Sequence, residues 1–405
     1  METATLAWLV LLTGALIIGF GFGLLAAATR YCNLGAIADW VNIGDRGRFR
    51  AWILSVAVAV LGVAILEYAG GLDPDQTRAG YRMAEFPVLR YVFGGLVFGA
   101  GMVLAGGCTT RTLVHIGSGN LRAAFVYLMV GLTAAALLYL PGPRIWIEEV
   151  LPWPGWSLDQ AGLATQDIGA IASLLPGELS LSMWRLVAAM LVTGLLAWLV
   201  IRLGAGQAMR RRDRIAGLSI GLLVVAAWAL TGSPVGMQLM AEATAAFSPP
   251  AGTGTQSLSF VAPAAESLRL ATSPQVALLT FGIAAMTGVI LGSATWFMRQ
   301  GQWRLQVRGS WREWLRQGIG GMLMGAGGIV AMGCSVGQGM TGVSTLALGS
   351  LLTLASMMLG SFVTLKLMFY RMAHPGAGPR TLLLALATDL KLRPARHHPL
   401  PEDRT

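Results

Sequence analysis

Read from its amino end, the chain alternates long apolar runs with short polar connections. Nine runs stand out, at 6–28, 52–69, 91–107, 122–140, 184–202, 215–231, 275–297, 318–333 and 350–370. Most approach the ~20 residues that an α-helix needs to cross a hydrocarbon core about 30 Å thick. The stretches Leu6 to Thr29 and Val276 to Phe297 carry no charged residue at all. The pattern predicts an all-α polytopic membrane protein with about nine transmembrane helices. The first run lacks a basic lead-in and is too long for a cleaved signal, so it reads as the first span.

Charge then orients the spans. Of the 29 lysines and arginines, 22 fall in the alternate segments 29–51, 108–122, 202–214, 298–317 and 371–405. The connections 70–90, 141–183 and 232–274 are poor in them. Basic residues mark the cytoplasmic side, so the expected topology is N-terminus outside and C-terminus cytoplasmic, as a multi-pass protein of the cell inner membrane. The net charge of +10 is therefore dealt out among loops, and no nucleic-acid partner is expected; the lipid bilayer is. With 55% hydrophobic and 12% charged residues, the composition excludes a secreted disulfide scaffold, a disordered chain and a soluble nucleotide enzyme.

The connections differ in character. Segment 141–183 holds Trp146, Trp153 and Trp156 among several prolines; it reads as a loop lying on the headgroups, with a lid over an outer vestibule as the alternative. Segment 241–274 reads as a second outer loop. Residues 373–405, including His397 and His398, are expected to form a disordered cytoplasmic tail. Residues 1–372 then make one membrane transport domain.

Within it lies a repeat. Gly94–Cys108 aligns without a gap on Gly320–Cys334, and eight of the fifteen positions are identical. In the charge-derived topology the two copies cross in opposite directions. Inverted repeats are a transporter architecture, with the substrate site at the repeat interface near the midplane; the halves are expected at about 1–140 and 184–372. The glycine spacing gives small helix faces for close approach. Gly107 and Gly333 are different, because each stands where an apolar run meets a cysteine. The polar residues Thr109 and Thr110, and Ser335 in the second copy, follow at once. Irregular backbone at membrane depth needs protein or a water-filled cavity around it. Each helix is therefore expected to break at its cysteine and to be followed by a short second helix, whose N-terminus suits an anion.

The cysteines number three, which excludes a disulfide framework, and their spacing fits no metal site. Cys32 follows a glycine-rich first run, as Cys108 and Cys334 follow theirs; its nearest sequence counterpart in the second half is Ser233. Thiols are soft and polarizable, so three along one path suit a sulfur-bearing solute better than a hydrated hard ion. Glu67 and Lys366 lie near or within spans, and His115 follows the Cys108 break. No proton-relay chain and no cofactor is indicated.

The paired motifs Ala105–Thr109 and Ala331–Ser335, with Arg30–Tyr31–Cys32 after the first run, resemble the YeeE/YedE family of sulfur-transport membrane proteins over residues 1 to about 372. The resemblance implies nine spans with short re-entrant helices, thiosulfate or a related small sulfur anion as the imported solute, and no enzymatic activity. It also implies that Cys32, Cys108 and Cys334 line the path and pass the sulfane sulfur along by S–H···S contacts. A soluble TusA-like sulfur carrier is the cytoplasmic partner that it implies. Two features depart from the family pattern: Met332 replaces the first glycine of the Gly-Gly-Cys form, and the loops 141–183 and 241–274 are long. A different class also fits the residues, a membrane thiol oxidoreductase or sulfurtransferase carrying persulfide on Cys108 or Cys334.

Overall fold

The computed structural model describes residues 2–374, apart from 147–148, 150–154, 177–178, 205, 235, 239–240, 242–253, 276–277 and 308, together with Gly378. The segment Arg380 to Thr405, with His397 and His398, lies outside the described residues, as does Trp153. Among the described residues the protein is an all-α membrane protein in which eight segments are long and apolar enough to cross a bilayer. In chain order the helices are α1 (Glu2–Thr29), α2 (Asn33–Ile43), α3 (Gly47–Tyr68), α4 (Val88–Ala105), α5 (Thr109–Gly117), α6 (Leu121–Tyr139) and α7 (Leu181–Arg202). They continue with α8 (Arg211–Gly232), α9 (Ala262–Thr272), α10 (Phe281–Arg299), α11 (Trp311–Val330), a π-helical turn (Gly337–Gly342) and α12 (Leu348–Ala373). The expected span outside that set of eight, 318–333, is α11, a 20-residue helix. It starts earlier than its apolar run because Ser310 and Glu313 cap each other's backbone in a reciprocal box. Arg312, Glu313 and Arg316 in its first turns make it less apolar than the others.

Packing is matched between the halves. α1 lies on α10 as α8 lies on α3; α4 lies on α12 as α11 lies on α6; α2 meets α12 as α9 meets α6; α5 meets α10 as the π-helical turn meets α3. At the centre α4 and α11 cross each other running in opposite directions, with Gly94 against Ala331, Gly327 against Phe98 and Gly320 against Ala105. A Cβ at Gly327 would stand 2.4 Å from the Phe98 nitrogen, so this crossing tolerates no side chain there. α7 packs on α3 and has no counterpart in this scheme.

Two polar connections are folded in rather than lying outside. Between the spans, Glu85–Pro87 and Gly155–Ser157 pair as a short antiparallel ribbon, β1 and β2. Trp146 and Trp156 are exposed, but Thr165, Gln166 and Asp167 are buried, which corrects the reading of 141–183 as a loop resting on headgroups. Likewise 241–274 is not simply a loop: Leu258, Phe260 and Val261 are buried and α9 follows them. The reason in both cases is hydrogen bonding: in the second segment the Leu258 and Phe260 carbonyls accept from Thr341 and Tyr127. Gln166 accepts from the backbone of Leu348 and Gly349 and donates to Tyr91, satisfying the free N–H groups at the start of α12.

Candidate functional site

The local backbone around all three cysteines follows one plan. Arg30, Gly106 and Met332 each have positive φ, of 55°, 80° and 58°, two positions before Cys32, Cys108 and Cys334. One residue later a backbone N–H reaches five residues back: Tyr31 to Ala26, Gly107 to Met102, and Gly333 to Gly328. This is the Schellman ending of a helix. The chain then turns, and the cysteine heads the next element. Cys32 is the N-cap of α2, its sulfur accepting from the Gly35 N–H at 3.3 Å. Cys334 accepts in the same way from Gly337, also at 3.3 Å. Cys108 is the N-cap of α5, without a side-chain cap bond. The expected break is present in both copies, but the following element differs. After Cys108 it is a nine-residue α-helix; after Cys334 it is a six-residue π-helical turn.

All three thiols are free and buried. The Cys32 and Cys108 thiols adjoin, and Ser335 lies beside Cys108. Asn33, the residue after Cys32, donates to the Ser335 carbonyl at 3.3 Å, so the first-half break and the second-half break meet. Tyr31 bridges them as well, bonding Ser55 at 2.6 Å and donating to the Met340 sulfur of the π-helical turn. Ser233, the sequence counterpart of Cys32, is instead the C-cap of α8. The place before α9, which packs as α2 does, is taken by Val261.

Around the thiols, polar atoms lack partners. The hydroxyls of Thr109, Thr110 and Ser335, the Gln338 amide oxygen and the Trp52 indole nitrogen are buried with no hydrogen bond. Buried polar groups are normally satisfied; these stand together around the two breaks. Of the residues expected at the site, Cys32, Cys108 and Ser335 lie side by side; Gly107, Thr109 and Thr110 adjoin Cys108 in the chain, and Gly333 precedes Cys334 at the edge of a separate cavity. Gln338, Trp52 and Tyr31 are not among the expected site residues. Gln338 was within reach, since the repeat offset sets it against Thr112 in the polar run after Cys108.

Two vestibules approach this region. One, of about 550 Å³, is lined by Cys32, Arg30, Arg48, Arg111, Arg212 and His115. The other, of about 420 Å³, is lined by Arg78, Arg90, Arg144, Ser259, Met332 and Gly333. In the second, Arg78 pairs with the buried Glu266 of α9 at 2.5 Å. His115 accepts from Arg111 at 3.2 Å, and Lys366 lies 5.9 Å from the Tyr370 ring centre.

Glu67 joins a separate cluster. Arg82 meets Glu67 at 2.7 Å and Asp75 at 3.1 Å, while Arg185 meets Glu67 at 2.8 Å and Asp167 at 2.9 Å. Arg82 also donates to the Thr345 carbonyl at 2.8 Å, tying the cluster to the turn between the π-helical segment and α12. Burial alone would raise the Asp167 carboxyl, but the charges of Arg82 and Arg185, with the hydrogen bonds from Arg185 and Ala170, hold it below the usual carboxylate range.

The family model described as sulphur transport matches residues 28–363. The chain belongs to the sulphur transport family. Among curated relatives, the thiosulfate transporter TsuA of Escherichia coli (strain K12) is 26% identical over 380 residues, covering 89% of this chain and 96% of its own. The TsuA protein of Spirochaeta thermophila is also 26% identical, covering 88% of this chain and 98% of its own. The probable transporter YedE of Escherichia coli (strain K12) is 34% identical over 119 residues, covering 29% of this chain and 26% of its own. The match to the family spans all three cysteine breaks and both vestibules.

Proposed function

We propose that this protein is a permease of the inner membrane that imports thiosulfate, or a closely related sulfur anion, along a path lined by Cys334, Cys108 and Cys32. The observation that carries the reading is the convergence of three cysteine turns with one backbone plan, flanked by unpartnered hydroxyls, between two arginine-lined vestibules. The solute enters from the vestibule at Gly333, which the charge bias puts outside, and leaves through the one at Cys32. The second repeat begins at α8, and α7 stands outside the repeat. Hydroxyls of Thr109, Thr110 and Ser335 and the N-terminus of α5 take the anion's oxygens, while the thiols contact its sulfane sulfur. The names of both full-length relatives support the choice of solute.

Import of a dianion runs against an inside-negative potential, at about 2.3 kcal/mol per charge per 100 mV. Removal of the solute inside then drives the cycle, and a TusA-like carrier at the cytoplasmic vestibule fits that need. Uptake of labelled thiosulfate into cells lacking other importers tests the reading. Wild type is expected to take it up, and Cys108→Ser and Cys334→Ser to lose that activity about 100-fold with normal membrane levels. Uptake that survives both changes removes the thiol path, and no wild-type uptake removes thiosulfate.

The adjoining Cys32 and Cys108 thiols favour a second reading. A thiolate could attack the sulfane sulfur, breaking the S–S bond, releasing sulfite and leaving a cysteine persulfide for its neighbour. Mass spectrometry after thiosulfate exposure decides between them: 32 Da on a cysteine (about the mass of one sulfur atom) supports transfer, and unmodified thiols support passage without covalent chemistry.

A further inference from the structure

A third cavity, of about 520 Å³, lies apart from the thiol path, where the turn between α2 and α3 meets the turn between α7 and α8. The charge bias puts these helix ends inside. Arg50 of α3 and Asp213 of α8 both line the cavity, and they are only 9% and 7% exposed. Buried charges are normally paired. Among the described residues neither of these two joins an ion pair, with the other or with any third group.

Each is turned elsewhere. Arg50 donates from Nε to the Val200 carbonyl at 2.8 Å and from Nη1 to the Gln207 carbonyl at 3.2 Å, which closes the end of α7 and leaves Nη2 without a bond. Asp213 Oδ2 stands 3.0 Å from the point that a Gly47 Cβ would occupy, and among the described residues its carboxylate accepts no hydrogen bond. Arg210, three residues before it, faces Asp45 at 3.6 Å instead. Gly47 and Arg50 are three apart on α3 and so share one face, about 5–6 Å apart at Cβ. The buried carboxylate and the buried guanidinium therefore open on one cavity from neighbouring turns of the same wall.

The cavity also has an apolar edge, formed by Leu203 and by the exposed Ile43. Close by on α7, Arg202 lies over the exposed Trp198 ring at 5.7 Å. A tryptophan with a snorkelling arginine marks headgroup depth. A lone anion here would leave Asp213 uncompensated, and a lone cation would leave Arg50 so. A ligand that carries a phosphate beside a primary ammonium serves both. Guanidinium groups take phosphate through charge-assisted hydrogen bonds, and a primary ammonium brings three N–H donors for carboxylates.

We propose that this cavity binds the headgroup of an ethanolamine phospholipid of the inner leaflet, with the phosphate at Arg50 and the ammonium at Asp213. The bound lipid then fastens α7, the helix outside the repeat, to α3 and α8. The site stands independently of the transported solute.

The test uses the purified full-length protein in detergent. Binding of ethanolamine, choline and glycerol phospholipids with the same acyl chains is followed by native mass spectrometry, with unfolding temperature measured alongside. Wild type is expected to hold the ethanolamine lipid at least about tenfold more tightly than the other two, the worth of one hydrogen bond between charged groups, and to unfold at a higher temperature with it. Choline lipid keeps the phosphate but has no N–H to donate. Asp213→Asn keeps the side-chain shape without the charge, and is expected to erase the preference; Arg50→Gln is expected to weaken all three lipids. Equal wild-type affinity for ethanolamine and choline lipids overturns the proposal whether or not a variant folds. A preference that D213N retains also overturns it. Soluble phosphoethanolamine that displaces the lipid at equal concentration overturns the membrane as the source of the ligand.

Discussion

At Cys108 the chain leaves α4 through Gly106 and Gly107 and starts an α-helix. At Cys334 it leaves α11 through Met332 and Gly333 and starts a π-helical turn. The backbone path into both cysteines is the same, down to the five-residue reach of Gly107 and Gly333. What differs is how each turn is held from behind. The turn between α5 and α6 is braced by backbone bonds from Arg304 and Gln306, and from Leu121 to Gln306, with Asn120 capping α6. The turn before α12 is braced by Gln166, by Ile168 bonding Leu346, and behind them by the buried cluster of Arg82, Arg185, Glu67 and Asp167. One copy is supported by main chain near a basic surface, the other by ion pairs sealed from water. Duplication preserved the turn that aims the thiol and left its bracing free to diverge.

That comparison can be broken at several points. The largest effect is expected from Asp167→Asn, which leaves Arg185 short of a buried partner. Breaking such a pair costs about 3–5 kcal/mol, read as a lowered unfolding temperature in detergent. Arg122→Ala, which removes a half-exposed pair with Glu313, is expected to cost under about 1 kcal/mol. Acid sharpens the same contrast. Because the Asp167 carboxyl is depressed, its contribution is fully present above the ordinary aspartate value of about 3.9. It is lost as pH falls below that value through the folded one. Unfolding temperature should therefore be flat in this respect from about pH 5 upward, with Asp167→Asn removing the acid-limb dependence.

Exchanging the turn residues comes next. Gly106→Met places the second copy's residue in the first copy's left-handed position, at a cost of about 1–2 kcal/mol, with open space around the new Cβ. Asn120→Ala removes the α6 cap and is expected to cost about 1 kcal/mol. Smallest is Met332→Gly, which relieves a left-handed methionine but frees the unfolded chain; a gain below about 1 kcal/mol is expected. Thermal unfolding of each variant, with uptake measured alongside, checks all three.

Much of this was legible in the residues. Nine apolar runs, the gapless offset between Cys108 and Cys334, and the polar residues after each cysteine located the spans and both breaks, because burial in a bilayer and chain reversal impose strong local signals. The bracing was not legible. Gln166, Asp167 and Arg185 are ordinary polar residues whose partners lie up to 183 positions away, and no periodicity announces a polar segment that folds inward. The place of Cys32 was found, but its second-half equivalent was sought at Ser233, a short way after α8, when the intervening chain is much longer there. Arg30 and Met332 also hid the common turn, since neither residue type advertises positive φ.

The unmatched α7 has one more consequence, a matter of parity. Each half contributes four long helices, α1, α3, α4 and α6 in one and α8, α10, α11 and α12 in the other. A unit with an even number of crossings returns the chain to the side from which it started, so two such units joined directly would point the same way. A single added crossing reverses the second. In the proposed topology α7, packed on α3, is what turns a tandem duplication into a back-to-back one.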